Sequence, residues 1–382
     1  MPNPFVGFLL LGCPTVVICL WNIIAKHEGD VTSIWTEKIE IPEFTNPNVW
    51  GALFGFMLFQ ATLQKVVPGP DIEGPLTMKN HTPKYKDNGF RCYLITLAVY
   101  FAGIYLDLWS GGVMIENCGP VIVRLNIFAL ILCFGILYKG WYHPTTEDTK
   151  YSGDFFSDYF WGTELYPRVL CDFDIKVWTN CRMGMTMWPL IILSCWFYQL
   201  ETYGSVSNNL KVNVILQMIY ITKFFWWEGG YYKTIDIMMD CAGFYLCWGC
   251  LVWVPSVYTI NSTYLAFNHD NSDIEAPNAL LLTYLVLGVI FIYFNYDIDN
   301  QRGWVRNKIM NKEPCEVWGK PCEYIEAQYV AGSENEVKTS ILIHSGWWGV
   351  ARHIHYVFEL SAAWMWSFPC GFDSPVGYLY IF

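Results

Sequence analysis

Lys223, Glu228, Lys233, Asp236 and Asp240 stand in and beside apolar sequence long enough to cross a bilayer, within KFFWWEGGYYKTIDIMMDCAGFYLCWGCLVWVPSVYTI at 223–260. A charged side chain in hydrocarbon costs about 2.5–3.5 kcal/mol or more unless it faces a cavity or a partner, so these groups mark a candidate functional site. On a helix Asp236 and Asp240, four residues apart, share a face, with Lys233 one turn before Asp236. Glu228 and Lys223 then lie further back, and Tyr220 and Asn213 continue the same helix. One reading is a set of paired ions that fix helix register. The other is an acid-lined pocket in low dielectric, where a neutral acid can persist at pH 7.

A second constellation is SGWWGVARHIHY at 345–356, in which Arg352, His353 and His355 follow a Gly and Trp turn. With Arg302 and Arg306 it offers cations and stacking surfaces suited to a phosphorylated nucleotide. A basic belt on lipid headgroups would explain the two arginines but explains the histidine pair less well. Neither GxGxxG after a strand nor GxxxxGK[ST] is present, so a Rossmann domain or a nucleotide-hydrolysing loop is not supported. A third block, GDFFSDYFWGTELYPRV at 153–169, sets Asp158, Glu164 and Arg168 among aromatics and reads from residue types as a polar loop anchored at the interface.

These residues need elements to hold them, and composition says which. The chain has 382 residues, 54% apolar and 18% aromatic with 19 Trp, against 15% charged. That balance predicts an all-α, polytopic transmembrane helical bundle, because helices satisfy their backbone groups within each segment. Uncharged runs at 1–25, 49–64, 92–106, 125–138, 183–200, 241–267 and 276–296, with 211–227 and a last segment from 356, give about 8–10 spans. Residues 1–382 then form a single membrane-embedded domain. The first run lacks a positive n-region and reads as a retained signal anchor. Loop charge favours a cytoplasmic face for 80–91, with Lys84, Lys86 and Arg91. The stretch 297–341 reads as a cytoplasmic loop whose alternation at 321–330 predicts a hairpin or cap. The stretches 67–85 and 142–158 read as solvent connections. A formal charge of −11 argues against nucleic acid as a partner. The fourteen cysteines lack paired spacing, and Cys247 and Cys250 read as packing residues with no metal site.

Taken together, the quoted segments resemble the membrane sterol reductases, the family of the delta-14, delta-24(28) and delta-7 enzymes. Block 153–169 looks like the family's first signature, with Asp158, Gly162, Pro167 and Arg168 in place and Tyr166 where many members have Asn. FDIKVWTNCRMGM at 173–185, YITKFFWWEGGYYKTIDI at 220–237, GFYLCWGCLVWVPSVYT at 243–259 and SGWWGVARHIHY at 345–356 are most similar to the delta-7 branch in its plant form. The resemblance spans nearly the whole chain. It implies reduction of the C7–C8 double bond of a 5,7-diene sterol by NADPH, in a multi-pass protein of the endoplasmic reticulum membrane. Its partners would be the sterol, membrane lipid and an assembly with other enzymes of sterol synthesis. Residue by residue it puts nucleotide binding on Arg302, Arg306, Ile343, Trp348, Arg352, His355 and Tyr356, with 297–341 contributing to that site. The implied reaction needs an acid at the sterol face, which makes Tyr220, Glu228, Asp236 and Asp240 the candidate catalytic acids, and a wall for a flat, rigid sterol, for which Trp227, Phe244, Tyr245 and Trp248 are the candidates. It also implies a further basic stretch with an Arg-Asp pair, a Cys and a Lys-Tyr-Gly motif, and the chain ends at Phe382 before it, so a missing C-terminal end is expected. Alternatives on the same residues are a delta-14 reductase, a non-catalytic sterol-binding protein and, more remotely, a membrane methyltransferase.

Overall fold

The computed structural model describes residues 4–77, 79–170, 172–269, 276–331 and 336–382. The apolar runs become helices α1 (Pro4–His27), α2 (Pro47–Val66), α3 (Gly89–Tyr105), α4 (Cys118–Tyr142), α5 (Phe155–Trp161), α6 (Met185–Tyr203), α7 (Asn208–Trp226), α8 (Ile260–Phe267), α9 (Asn278–Met310) and α10 (Ile354–Ser367). Two π-helical stretches, Trp178–Gly184 and Phe244–Tyr258, lead into α6 and α8. Local chemistry sets several ends. Asn46 accepts from Asn48 N–H and Pro47 opens α2; Ser207 caps α7 through Leu210 N–H; Gly204, at φ 74°, closes α6.

Phe5–His27, Cys118–Tyr142 and Asn278–Met310 are long and apolar enough to cross a membrane, and the chain is a predominantly helical membrane protein with only small two-stranded sheets. The inner helices are less apolar because they exchange hydrogen bonds inside the bundle. Gln217 of α7 accepts from Trp188 Nε1 at 2.7 Å and donates to Asn213 and Ser262, and Asn213 Nδ2 reaches the Trp366 carbonyl. All these groups are buried, so each needs its partner. Cys247 and Cys250 are buried and free.

Three sequence expectations change. The segment after α7 is not one continuing helix: Trp227 leaves helical geometry, short turns at Glu228–Tyr231 and Ile235–Met238 follow, and Thr234 between them is extended. Gly229 and Gly230 fall in this break and hold helix poorly. Asp236 and Asp240 therefore do not share a helical face. Second, α9 continues through the charged residues to Met310, so Arg302 and Arg306 are helical rather than in a loop. The hairpin that follows pairs Tyr324–Ala331 with Glu336–Ile343. Third, block 153–169 is an internal clamp. Asp158 and Glu164 are buried; Asp158 accepts from Ser152 N–H at 2.7 Å, and Glu164 from Lys139 Nζ at 2.7 Å and Thr145 N–H at 2.6 Å. Gly162, at φ +79°, lies against the Ala242–Gly243 backbone, where a Cβ would collide with the Ala242 carbonyl.

Candidate functional site

A cavity of about 690 Å³ opens between α7, the Phe244–Tyr258 π-helix and the ends of α9 and α10. Its size suits a medium-sized organic ligand. Trp227, Phe244, Tyr245 and Trp248 all line it. Phe244 stacks on Trp248 with centroids 4.8 Å apart, and Trp248 Nε1 donates to Asn126 at 2.9 Å, which fixes that wall. Tyr245 is half exposed and packs against Trp161.

Of the four acids, Tyr220 and Asp236 line the cavity. Tyr220 donates to Glu359 Oε1 at 2.9 Å, and Lys223 Nζ sits 4.5 Å from the Tyr220 ring centroid. Lys223 donates to Asn295 Oδ1 at 2.6 Å, and Asn295 Nδ2 reaches the His355 carbonyl at 3.2 Å. Glu359, Asn295 and Asp299 also line the cavity, and sequence reasoning passed over all three. Glu359 carried the same signal as the 223–240 cluster: it is the one charge between Tyr356 and Phe372.

Glu228 and Asp240 are elsewhere. Glu228 is fully buried but does not line the cavity, and its carboxylate is saturated. Both its oxygens meet the Arg182 guanidinium, and one also accepts from Gly89 N–H at 2.9 Å and Tyr232 O–H at 2.9 Å. Arg182 in turn donates to Asn88 Oδ1 at 2.7 Å. This knot ties α3, the Trp178–Gly184 π-helix and the 228–232 turn together. Asp240 contributes its carbonyl to Lys176 Nζ at 2.7 Å and is absent from the cavity wall.

The second constellation assembles at the far end of α9. Arg302 lies over the Trp348 ring at 4.8 Å and faces Asp299 at 3.6 Å. Arg306 donates to the Ile341 carbonyl, tying α9 to the strand that carries Ile343. Trp347 and Trp348 donate to Asp297 Oδ2 and the Ile298 carbonyl, so the 345–348 turn is docked on α9. Gly346, at φ +59°, permits the approach: a Cβ would strike Gln301 and Val317. His355 packs on Tyr356 at 4.1 Å and on Trp348 at 5.5 Å, and Arg352 is exposed. Asp299 joins the two regions, lining the cavity and pairing with Arg302.

Residues 17–382 match the model of the ergosterol biosynthesis ERG4/ERG24 family. The chain belongs to this family of sterol reductases. Among its relatives, a 7-dehydrocholesterol reductase of Arabidopsis thaliana is 40% identical over 381 residues, covering 98% of this chain and 86% of the relative. One from Xenopus laevis is 36% identical, covering 86% of this chain and 69% of the relative. A Delta(14)-sterol reductase of Methylotuvimicrobium alcaliphilum is 31% identical, covering 98% and 84%. The cavity and the α9 surface are the two candidate functional regions of this membrane sterol reductase.

Proposed function

We propose that this reductase uses NADPH to reduce the C7–C8 double bond of 5,7-diene sterols, in the membrane of the endoplasmic reticulum. The observation that carries the reading is one cavity whose wall holds both an acid pair, Tyr220 with Glu359, and the carboxylate that leads to the Arg302–Trp348 shelf. The greater similarity to the 7-dehydrocholesterol reductases supports C7 over C14.

An unpolarised alkene does not accept hydride until a carbon is protonated, and conjugation lets a diene take that proton as an allylic cation. Tyr220 Oη is the proton donor in this scheme. Lys223, over the ring, favours the phenolate that remains, and Glu359, which accepts the Tyr220 hydrogen bond, is placed to take up a proton from water after each turnover and pass it to the same oxygen. Phe244, Trp248 and Tyr258 keep water from the cation. NADPH supplies the hydride when bound. The residues at the end of α9 fit it: Arg302, Arg306 and Arg352 for phosphates, Trp348 and Ile343 for stacking and apolar contact, with Tyr356 beside them. His355 Nδ1 is buried without a partner among the described residues, a donor or acceptor that such a ligand would satisfy.

The test is to supply the purified protein with NADPH and, separately, a 5,7-diene and an 8,14-diene sterol, and to identify products by mass spectrometry. Saturation at C7 alone supports the proposal; saturation at C14 alone replaces it with the delta-14 reading, and sterol binding without turnover replaces it with a non-catalytic one.

A further inference from the structure

The cavity has a second polar corner that proton transfer at Tyr220 leaves unused. Asn180, Tyr231, Thr234 and Asp236 line it. Asn180 Nδ2 donates to Tyr231 Oη, so the phenolic proton of Tyr231 is left without an acceptor among the described residues. Thr234 Oγ1 is engaged with the Tyr231 carbonyl at 2.8 Å. The Asp236 carboxylate receives no hydrogen bond among the described residues, although a carboxylate has room for about four. One free donor and one free acceptor thus face the same space.

The corner is also rigid. Lys176, 2% exposed, donates to the carbonyls of Leu165 at 3.2 Å, Ile237 at 3.0 Å and Asp240 at 2.7 Å. Two of those carbonyls belong to the short segment that carries Asp236. Lys176 is a positioning residue: it holds that segment while making no contact with the cavity itself.

We propose that Tyr231 and Asp236 bind the 3β-hydroxyl of the sterol, Tyr231 O–H donating to the hydroxyl oxygen and Asp236 accepting its proton. This rests on the cavity being the sterol site, but not on which double bond is reduced. A sterol carries one polar group on a hydrocarbon skeleton, and an alcohol both donates and accepts at a single atom. A 3-ketone only accepts, so it brings lone pairs against the Asp236 carboxylate. A buried polar group left unmatched in this way discriminates far more strongly than a missing methylene. The enzyme therefore selects free 3β-alcohols, and the fixed hydroxyl gives the ring system one way to lie before Tyr220.

Equilibrium binding of three sterols to the detergent-solubilised full chain, without cofactor, tests this: a 3β-hydroxy-5,7-diene, its 3-deoxy counterpart and a 4-en-3-one. Wild type is expected to bind the alcohol at least about tenfold more tightly than the ketone. Asp236→Asn, whose carboxamide both donates and accepts, should weaken the alcohol and strengthen the ketone, reducing the ratio to about threefold or below. Opposite movement of two affinities does not arise from misfolding. Tyr231→Phe should weaken both oxygenated sterols and leave the 3-deoxy sterol unchanged. An alcohol-to-ketone ratio that Asp236→Asn leaves at the wild-type value overturns the proposal, as does an equal loss for all three sterols in both variants. Because no turnover is involved, the result stands whether product analysis places reduction at C7 or at C14.

Discussion

Glu228→Gln separates a structural carboxylate from a catalytic one. The substitution leaves the Arg182 guanidinium fully buried opposite a neutral amide, whereas Gly89 N–H and Tyr232 O–H still have an oxygen to reach. Breaking a buried pair by neutralising one partner costs about 3–5 kcal/mol, because the remaining charge has lost its compensation. At about 2.1 cal/mol/K per residue, 382 residues give an unfolding entropy of about 0.8 kcal/mol/K, so the apparent Tm should fall by about 4–6 °C. A membrane protein keeps much of its helix on unfolding, so that entropy is an upper bound and the shift a lower one. Neutralising both partners with Arg182→Gln and Glu228→Gln removes the orphaned charge and should recover at least half of the loss. The assay is thermal denaturation followed by size-exclusion chromatography, with turnover per folded molecule measured well below the Tm. Turnover is expected to stay within about threefold of wild type. A Glu228→Gln protein whose Tm moves by less than about 2 °C while turnover falls more than about a hundredfold would refute the assignment and make Glu228 an acid of the reaction.

Tyr220→Phe should lower kcat by about 10²–10⁴ while leaving sterol affinity within a few-fold, as read by single-turnover kinetics and equilibrium binding. Arg302→Ala, which removes the cation stacked on Trp348, should raise the KM for NADPH with little change in the KM for sterol. Gly162→Ala forces a Cβ into the Ala242 carbonyl and gives φ +79° to an L side chain, so expression of folded protein should fall sharply, with Gly153→Ala, also at positive φ but in open space, much milder. Glu43 is held at about 2 by the Thr45 hydroxyl first, then by Arg124 and the Asn46 and Thr45 amides. Its folded value is depressed, so its contribution is present above the ordinary 4.5 and lost as the pH falls through about 2. Hydrogen exchange at 43–48 should accelerate across that window, and Glu43→Gln should abolish the pH dependence.

Some of this was legible in the residues. The cost of charge in apolar sequence drew attention to Lys223 and Asp236, the helix continued back from them took in Tyr220, and the Gly-Trp turn with Arg302 and Arg306 drew attention to the surface at the end of α9. What periodicity missed came from assuming that one helix runs on through 228–240. The break at Trp227 and the two glycines is a backbone event, and it decides that Asp236 faces the cavity while Asp240 does not. Burial was equally invisible for Glu164 and Asp158, since a polar-looking loop becomes interior only when Lys139 of α4 reaches Glu164 and the adjoining Ser152 amide folds back onto Asp158. Glu228 drew attention as a buried acid, but its partner Arg182 lies 46 residues earlier. Glu359 obeyed the same rule that found the first cluster and was overlooked because it stood alone.

Under the proposed function, the length of α9 sets where the two reactants can meet. At 1.5 Å per residue, its 33 residues extend about 50 Å, against about 30 Å of hydrocarbon in a bilayer. Counting from Asn278, the first charge, Asp297, comes after about 29 Å, close to the thickness of the oily layer, and Arg302 follows at about 36 Å. A single rigid rod thus crosses the boundary between two solvents and carries Asn295 just below it and Arg302 just above. A water-soluble reductant and a lipid-dissolved substrate have no phase in common, and under the proposed function this helix would bring their docking points within about two turns of one another without asking either molecule to leave its own medium.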